Sequence, residues 1–397
     1  MDDFQERIER LEAEHRNRFG EGERFVVNAP YRVSPLGAHV DHQHGAVTGM
    51  ALTDSIVMVF RPNPDGEVRL HSFNFSDLKY FRLGEYARAR DWSDYARGAC
   101  MALARTHRLT AGIDAVLDGN LPIGGLSSSA AVGIAYLIAL EHANGIEASS
   151  EDNIELDRII ENDFINLNNG ILDQSVIILS QEEKLLHIDC RDGNFEHVSP
   201  GEGMHGYEVM VVYSGVARNL MDTDYNRRVG ECEAAARELL SLAGRSAPKN
   251  ARIRLRNVDP EEYDAHGHAL EGNLRKRAEH FYSEVRRVRE GVEAWKKGDL
   301  EKFGGLMKDS CASSTNNYEC GCPPLISLAE IMNETPGVFG ARFSGAGFRG
   351  CCLGFSDPSA RDEIYGRVKR EYIRRHPEYA REFQVRFCRP GNGAGLL

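Results

Sequence analysis

The sequence predicts an α+β protein of two domains. Strand-like and helix-like hydrophobic periods alternate along the whole chain, without a low-complexity tract or a repeat of solenoid length. A chain of 397 residues usually divides into more than one domain. The turn-forming sequence Pro200-Gly-Glu-Gly203 is a suitable join. We therefore predict domains over residues 1–203 and 204–397.

The first elements follow from hydrophobic spacing. Residues 1–20 are charged and amphipathic, with Phe4, Ile8 and Leu11 on one helical face. Residues 113–120 alternate apolar and polar side chains, which predicts a half-buried strand. From Ala130 to Asn144 the apolar residues recur at helical spacing, which predicts a long helix directly after that strand.

The later elements are predicted in the same way. We expect a helix over residues 152–164, an apolar strand over 207–214, and a second strand over 351–355. The charged segment 267–298 has Ala, Val and Leu at helical spacing. Its charged residues predict a solvated face with local ion pairs and no catalytic role: Glu284, Arg286, Arg287, Arg289 and Glu290.

Composition limits the classes of function. Sixty acidic residues against 48 basic ones give a formal charge of −12, which argues against a nucleic-acid partner. The sequence has no apolar run of eighteen residues and no evident export signal, so we expect no membrane partner. Nine scattered cysteines suit reduced thiols in the cytoplasm, and Cys320-Gly-Cys322 lacks the second pair of a zinc site. The oligomeric state stays open, with a monomer slightly favoured.

The segment Leu121-Pro-Ile-Gly-Gly-Leu-Ser-Ser-Ser-Ala-Ala131 connects the strand over 113–120 to the long helix. Gly124 and Gly125 allow the backbone to approach an anion closely, and the serines supply hydroxyls at the positive end of the helix dipole. The segment therefore predicts a phosphate site. It lacks the lysine of a Walker loop, so it belongs to another class of phosphotransferase. Seen alone, it could equally be a Gly/Ser linker that caps an ordinary helix.

Two further segments identify that class: Ala29-Pro-Tyr-Arg-Val-Ser-Pro-Leu-Gly-Ala-His-Val-Asp-His42 and Gly340-Ala-Arg-Phe-Ser-Gly-Ala-Gly-Phe-Arg-Gly350. In order and separation, the three segments resemble the signature motifs of the GHMP kinase superfamily. Residues 31–42 align without a gap with the sugar signature of its galactokinase branch. Shorter similarities extend the resemblance over nearly the whole chain, at residues 91–98, 169–174, 186–191 and 225–232.

The resemblance implies a fold and a reaction. The N-terminal domain should be ribosomal-S5-like, the C-terminal domain ferredoxin-like, and the active site should lie in the cleft between them. The reaction implied is phosphorylation of a sugar by ATP with Mg²⁺. The aligned ATP-binding residues are Gly124, Gly125, Leu126, Ser127, Ser128, Ser129 and Ala130.

The resemblance also implies individual roles. Asp173 aligns with the catalytic aspartate and Arg32 with the arginine beside it, although a lone Asp173 would otherwise be read as a helix or turn cap. Ser129 and Glu161 align with Mg²⁺ ligands, while Asp157 and Asp163 leave the choice of acidic ligand open. Four residues align with sugar contacts: His39, Asp41, Gly170 and Tyr225. His39 could instead be an ordinary core histidine.

The substrate prediction depends on Ala38. Galactokinases carry a glutamate here, which binds the galactose 6-hydroxyl. Alanine removes that negative charge and leaves room for a carboxylate at carbon 6, which favours galacturonic acid. The motif around Ala38 and the segment 316–320 also resemble those of galacturonokinases. The partner of the substrate carboxylate stays open among His42, His44 and Arg349.

Other functions are weaker alternatives. Ala38 could be neutral drift in a galactokinase, or part of a pocket for another sugar such as arabinose. A catalytically silent sugar and ATP sensor is disfavoured because the serine loop, Asp173 and Arg32 are all intact. The Gly-x-Gly-x-x-Gly spelling at residues 345–350 precedes a strand rather than a helix, so we do not predict a dinucleotide enzyme.

Overall fold

The computed structural model describes residues 3–216, 224–246, 248 and 251–397. It has an α+β fold with two sheets, as predicted. The strands are β1 (Phe25–Val33), β2 (Ala46–Asn63), β3 (Glu67–Ser72), β4 (Lys79–Arg82), β5 (Gly112–Gly119), β6 (Leu185–Asp189), β7 (Phe195–Val198), β8 (Glu208–Tyr213), β9 (Val338–Phe343), β10 (Cys351–Ser356), β11 (Gln384–Cys388), β12 (Pro390–Gly391) and β13 (Gly395–Leu396).

The helices lie on and between these sheets. They are α1 (Asp3–Phe19), α2 (Asp94–Leu103), α3 (Ser128–Asn144), α4 (Ser150–Ile159), α5 (Leu172–Leu179), α6 (Tyr225–Leu242), α7 (Pro260–His266), α8 (Gly272–Lys296), α9 (Leu300–Ser313), α10 (Pro323–Asn333) and α11 (Arg361–Arg375). No helix in the described ranges is long and apolar enough to cross a membrane.

The first sheet is nine-stranded, with the main strand order β13-β1-β2-β5-β3-β4. Strand β2 also pairs with β6 and β12, so the sheet branches at this long interior strand. Helix α3 packs against β1 and β2. The short strands β12 and β13 follow the last strand of the second sheet in the sequence, but they pair with β2 and β1 of the first sheet.

The second sheet is four-stranded and antiparallel, in the order β11-β8-β10-β9. Strand β8 is buried along its full length, and its side chains alternate between two cores. Val209 and Val211 pack into the core shared with the first sheet, while Met210 and Val212 pack under the helices on the other face. The two sheets are therefore joined by a common apolar core.

The predicted elements are present with shifted ends. The strand predicted at 113–120 spans Gly112–Gly119, and the helix after it begins at Ser128 instead of Ala130. The helix predicted at 152–164 stops at Ile159 and continues as a π turn over Ile160–Phe164. The segment predicted to be helical over 267–298 is helical over Gly272–Lys296. The domain division at residue 203 stays a prediction.

Candidate active site

A cavity of about 580 Å³ opens between the first sheet and the third motif. It is within the usual size range of a small-molecule site. Its walls come from residues 29–42 (the sugar segment), residues 121–131 (the phosphate loop), the start of α5 and the turn after β9. The structure thus brings together four segments that are far apart in the sequence.

The loop that connects β5 to α3 depends on glycine. Gly124 and Gly125 have φ angles of +128° and +90°, which side-chain-bearing residues rarely adopt. A Cβ atom at Gly350 would lie 2.8 Å from the Gly124 backbone, and the Ser344 hydroxyl donates to the Gly125 carbonyl over 2.6 Å. The third motif therefore packs on the loop and holds its shape.

The predicted ATP-binding residues do not all face the cavity. Gly124, Gly125, Ser127, Ser128 and Ser129 line it. Leu126 and Ala130 are instead buried in the core shared by the two sheets. Their side chains anchor the loop and the first turn of α3 to the protein.

Arg32, Asp173 and Ser127 form a connected polar group in the cleft. Arg32 Nε donates to Asp173 Oδ1 over 2.7 Å, and Arg32 Nη1 donates to the Gly125 carbonyl over 3.1 Å. The hydroxyl of Ser127 donates to Asp173 Oδ2. Both carboxylate oxygens of Asp173 are therefore held, one by a buried cation and one by the loop.

The π turn after α4 separates the three acidic candidates for a metal ligand. Glu161 is buried, and its Oε2 accepts a hydrogen bond from Asn169 while its Oε1 has no partner among the described residues. Asp157 is also buried, whereas Asp163 pairs with Arg105 on the surface, 2.8 Å away. The sequence left open that any of the three could be a surface charge, and in the structure only Asp163 is one.

Glu161 fits a metal ligand in its chemistry. Burial and then the nearby Asp173 carboxylate raise the pKa of Glu161 to about 7, and hydrogen bonds from Ser129 and Asn169 oppose that shift. A buried carboxylate oxygen without a partner suits a hard cation. In the described ranges, no group of three or more His, Cys, Asp or Glu side chains could hold a metal by itself. Further ligands would have to come from phosphate and water.

Asp41 and Gly170 meet at the base of the sugar segment. The Gly170 amide donates to Asp41 Oδ2 over 3.1 Å, and a Cβ atom at Gly170 would lie 2.6 Å from the Asp41 backbone. Burial and then the Asp173 carboxylate raise the pKa of Asp41 to about 6. Asp41 and Tyr225, which is at the start of α6 and 7% exposed, line the active-site cavity, whereas Gly170 lines a second cavity behind Asp41.

His39 has a packing role as well as a place in the cavity wall. Its ring stacks on Tyr318 with centroids 4.1 Å apart, and its Nε2 lies 3.4 Å from Cys320 Sγ. Burial and the neighbouring His280 hold the pKa of His39 well below its usual range, so the ring is neutral at pH 7. His39 can therefore offer a hydrogen bond to a ligand but no charge.

Ala38 lines the cavity, and a buried carboxylate behind it holds its backbone. Glu284 Oε1 accepts from the amides of Gly37 and Ala38 over 2.9 and 3.1 Å. His280 Nε2 donates to the Ala38 carbonyl over 2.8 Å. Helix α8 thus fixes the turn that carries Ala38.

The prediction that Glu284 and Arg287 belong to a solvated face was therefore wrong. Glu284 is fully buried, and its Oε2 accepts from Arg287 Nε over 2.7 Å. Burial raises the pKa of Glu284, but Arg287 and then His280 outweigh it and bring the value to about 2. The remaining charged residues of that set, Arg286, Arg289 and Glu290, are exposed as predicted. The sequence held one signal of this burial. Glu284 follows Phe281 by three residues and precedes Val288 by four, so it shares the buried face of α8 with them.

Arg342 is a cavity residue that sequence reasoning missed. It is 3% exposed, and its Nη1 donates to the Ser34 carbonyl over 2.9 Å. A charged residue within the apolar strand β9 was the signal that could have found it. Of the three carboxylate partners left open, His42 and His44 line a second cavity behind Asp41, and Arg349 lies beside Gly124.

Comparisons with known proteins agree with this geometry. A family model described as the GHMP kinases N terminal domain matches residues 94–181, and one described as GHMP kinases C terminal matches residues 291–374. A third model, the galactokinase galactose-binding signature, matches residues 13–62.

Two relatives match nearly the whole chain. The galacturonokinase of Arabidopsis thaliana is 43% identical, covering 95% of this chain and 94% of that protein. A galactokinase of Roseiflexus sp. (strain RS-1) is 32% identical, covering 94% and 93%.

Solved structures show the same fold. Lactococcus lactis galactokinase complexed with galactose has a TM-score of 0.90 at 27% identity and covers 98% of this chain and 100% of that one. A mevalonate kinase at 17% identity shares the fold with a TM-score of 0.65, covering 92% of this chain and 99% of that one. The chain therefore belongs to the GHMP kinase family, in the branch that includes the galactokinases and galacturonokinase.

Proposed function

We propose that the protein transfers the γ-phosphoryl group of ATP to the anomeric hydroxyl of D-galacturonic acid, giving galacturonate 1-phosphate and ADP. The observation that carries the proposal is Ala38, which stands in the cavity wall where galactokinases carry glutamate. The similarity to a protein named galacturonokinase, at 43% identity over most of both chains, supports it.

Asp173 and Arg32 are proposed to act on the attacking hydroxyl. The 2.7 Å ion pair orients the Asp173 carboxylate, and the Ser127 bond fixes its other oxygen. The carboxylate then accepts the proton as the anomeric oxygen bonds to the γ-phosphorus and the bond from that phosphorus to the leaving oxygen of ADP breaks. The guanidinium stabilises the developing negative charge. Because phosphoryl transfer has a loose transition state, much of the contribution is positioning.

ATP is proposed to bind with its phosphates on the loop between β5 and α3. Amides at the start of α3 and the hydroxyl of Ser128 are the available donors, because the hydroxyls of Ser127 and Ser129 already bond to Asp173 and Glu161. Mg²⁺, when bound, would neutralise charge on the β- and γ-phosphates. Ser129 and Glu161 are the residues proposed to hold it, because they are hydrogen-bonded to each other and Glu161 Oε1 has no partner among the described residues. Both oxygens of the buried Asp157 are also unpartnered, but no bond links Asp157 to Ser129 in the described part of the chain.

The sugar is proposed to lie between the start of α5 and the sugar segment. Asp41 would accept two hydroxyl hydrogen bonds, with His39, the Gly170 backbone and Tyr225 completing the contacts. A fixed carboxylate that accepts two hydroxyls orients a pyranose ring. The anomeric hydroxyl would then face Asp173.

A substrate panel tests the proposal. ADP release should be measured with galacturonic acid, galactose, glucuronic acid and arabinose, and the product phosphate should be located by ³¹P NMR. We expect galacturonic acid to have the highest kcat/KM, with phosphate on carbon 1. A preference for galactose or arabinose would overturn the substrate assignment and leave the kinase assignment intact. Binding of both ATP and sugar without ADP release would indicate a sensor.

Two broader proposals accompany the activity. We keep the division into domains over 1–203 and 204–397, supported by the two sheets, since β1–β7 all belong to the first and β8–β11 form the second. Strands β12 and β13 cross the division and return to the first sheet. We also propose a cytoplasmic location, supported by the nine cysteines, all among the described residues and none in a disulfide, because thiols persist in reducing compartments.

A further inference from the structure

Five arginines line the active-site cavity. Four of them either contact an acidic residue of the protein or lie away from the sugar segment. Arg32 is paired with Asp173. Arg88 and Arg90 are exposed and bind Asp94, Arg88 through its side chain and Arg90 through its backbone amide. Arg349 lies at the phosphate loop, where its Nη1 would be 3.8 Å from a Cβ atom on Gly124.

The fifth, Arg342, belongs to the sugar side of the cavity. Its Nη1 is bonded to the carbonyl of Ser34, within the segment that also carries Ala38, and both residues line the cavity. Arg342 is also near His39, because its positive charge helps to lower the pKa of the His39 ring. The guanidinium therefore lies close to the position that distinguishes this site from a galactokinase site.

Arg342 is a buried cation without an anion of its own. Among the described residues, no carboxylate lies within 4 Å of it, and its Nε is buried without a hydrogen-bond partner. Glu284 attracts it from a greater distance, but Glu284 is already paired with Arg287 at 2.7 Å. The three groups together leave one positive charge, and a buried charge is stable only when it is paired.

We infer that Arg342 receives the carbon-6 carboxylate of the substrate and is a specificity-determining residue of the site. This inference rests on the proposed function. The planar guanidinium suits a carboxylate, since it can donate two parallel hydrogen bonds. Ala38 removes the side chain that would otherwise compete for Arg342, and the bound uronic acid supplies the missing anion. The pairing thus explains both why alanine is tolerated and why a neutral sugar is a poorer ligand.

The test compares Arg342→Gln with Arg349→Gln, a matched loss of charge at the other end of the cavity. Arg342→Gln should raise the KM for galacturonate by ~10-fold or more, the usual effect of losing a charged hydrogen bond. It should also remove most of the thermal shift caused by galacturonate and retain the shift caused by ATP. Arg349→Gln should raise the KM for ATP instead.

Arg342→Lys should retain part of the galacturonate affinity because it keeps the charge, and it serves as the test variant if Arg342→Gln fails to melt cooperatively. Galacturonamide, which lacks the charge, is the second probe. Wild type should bind galacturonamide ~10-fold or more weakly than galacturonate. In the lysine or glutamine variant, the affinities for galacturonate and galacturonamide should differ less than they do in wild type.

The outcomes separate this inference from the proposed function. If wild type phosphorylates galacturonate while a folded Arg342 variant keeps the wild-type KM and the wild-type preference over galacturonamide, the inference fails alone. Equal losses for galacturonate and galactose would assign Arg342 a merely structural role and also overturn it. If wild type shows neither turnover of galacturonate nor a thermal shift with it, the proposed function itself fails.

Discussion

Arg32 and Asp173 are 141 residues apart in the sequence and form an ion pair with Nε 2.7 Å from Oδ1. Arg32 comes from the first sheet and Asp173 from the first turn of α5. The loop between β5 and α3 completes the arrangement, because the Ser127 hydroxyl donates to Asp173 and the Gly125 carbonyl accepts from Arg32. The proposed proton acceptor and the proposed phosphate site are therefore parts of one hydrogen-bonded unit.

Asp173→Asn should abolish nearly all turnover while ATP still binds. The amide keeps the shape of the side chain but neither accepts a proton nor balances Arg32. We expect kcat to fall by at least ~100-fold, the scale of general base catalysis, with ATP affinity measured by calorimetry nearly unchanged. Asp163→Asn, a surface change on the neighbouring π turn, is the control. Turnover within twofold of wild type would remove Asp173 from the mechanism.

Ser129→Ala should weaken the magnesium-nucleotide complex. The substitution deletes one hard oxygen next to Glu161, and a water molecule replaces it only in part. The measurement is a titration of activity with Mg²⁺ at fixed ATP, in which the midpoint should move to higher metal concentration. Ser128→Ala removes the neighbouring hydroxyl and should leave that midpoint in place. Identical titrations for wild type and Ser129→Ala would refute the ligand assignment.

Ala38→Glu should shift the ratio of kcat/KM from galacturonic acid toward galactose. Two carboxylates ~4 Å apart at an effective dielectric of about 20 repel by roughly 4 kcal/mol. Galactose can gain a hydrogen bond from its 6-hydroxyl worth about 1.5 to 3 kcal/mol. Ala38→Gln has nearly the same size without the charge and separates repulsion from crowding. An unchanged ratio for Ala38→Glu would mean that residue 38 is not beside carbon 6.

Recognition of the sugar should depend on pH through Asp41. Burial and the Asp173 carboxylate raise the pKa of Asp41 to about 6, so Asp41 holds a proton below that pH and accepts hydroxyl hydrogen bonds poorly. With ATP and Mg²⁺ saturating, kcat/KM for the sugar should fall as the pH decreases from 7 to 5, because this ratio reports the sugar-free enzyme. Asp41→Asn should have a low kcat/KM without this step. A step of the same size in the variant would assign it to another group.

Glu284→Gln should destabilise the fold by roughly 3 kcal/mol at pH 7, since it removes the charge of a fully buried carboxylate and leaves the half-buried Arg287 side chain without its ion-pair partner. The pKa of Glu284 is lowered to about 2, so the stability due to its charge is complete above about pH 4.5 and is lost as the pH falls toward 2. Urea unfolding of wild type and variant should therefore differ at pH 7, and the difference should shrink below pH 4.5 and vanish near pH 2. Exposed Glu290→Gln is the control. A difference that does not depend on pH would mean that Glu284 stabilises by shape alone.

The sequence by itself determined the features that local chemistry encodes. Hydrophobic periods predicted β5 and α3, and Gly124 and Gly125 predicted a turn between them, in which the structure gives both glycines a positive φ. These predictions succeed because backbone conformation depends on each residue and its near neighbours. Motif order also indicated the family, since the three segments keep their spacing.

Only the tertiary structure decided which charged residues are buried and which groups they meet. Glu161 and Asp163 are two positions apart, yet the π turn buries one and exposes the other. Glu284 belongs to a segment that is charged throughout, and its pairing with the Ala38 backbone depends on how α8 packs. Arg342 reaches Ser34 across 308 residues. The free energy of a charge depends on its burial and its partners, and both are properties of the packed chain.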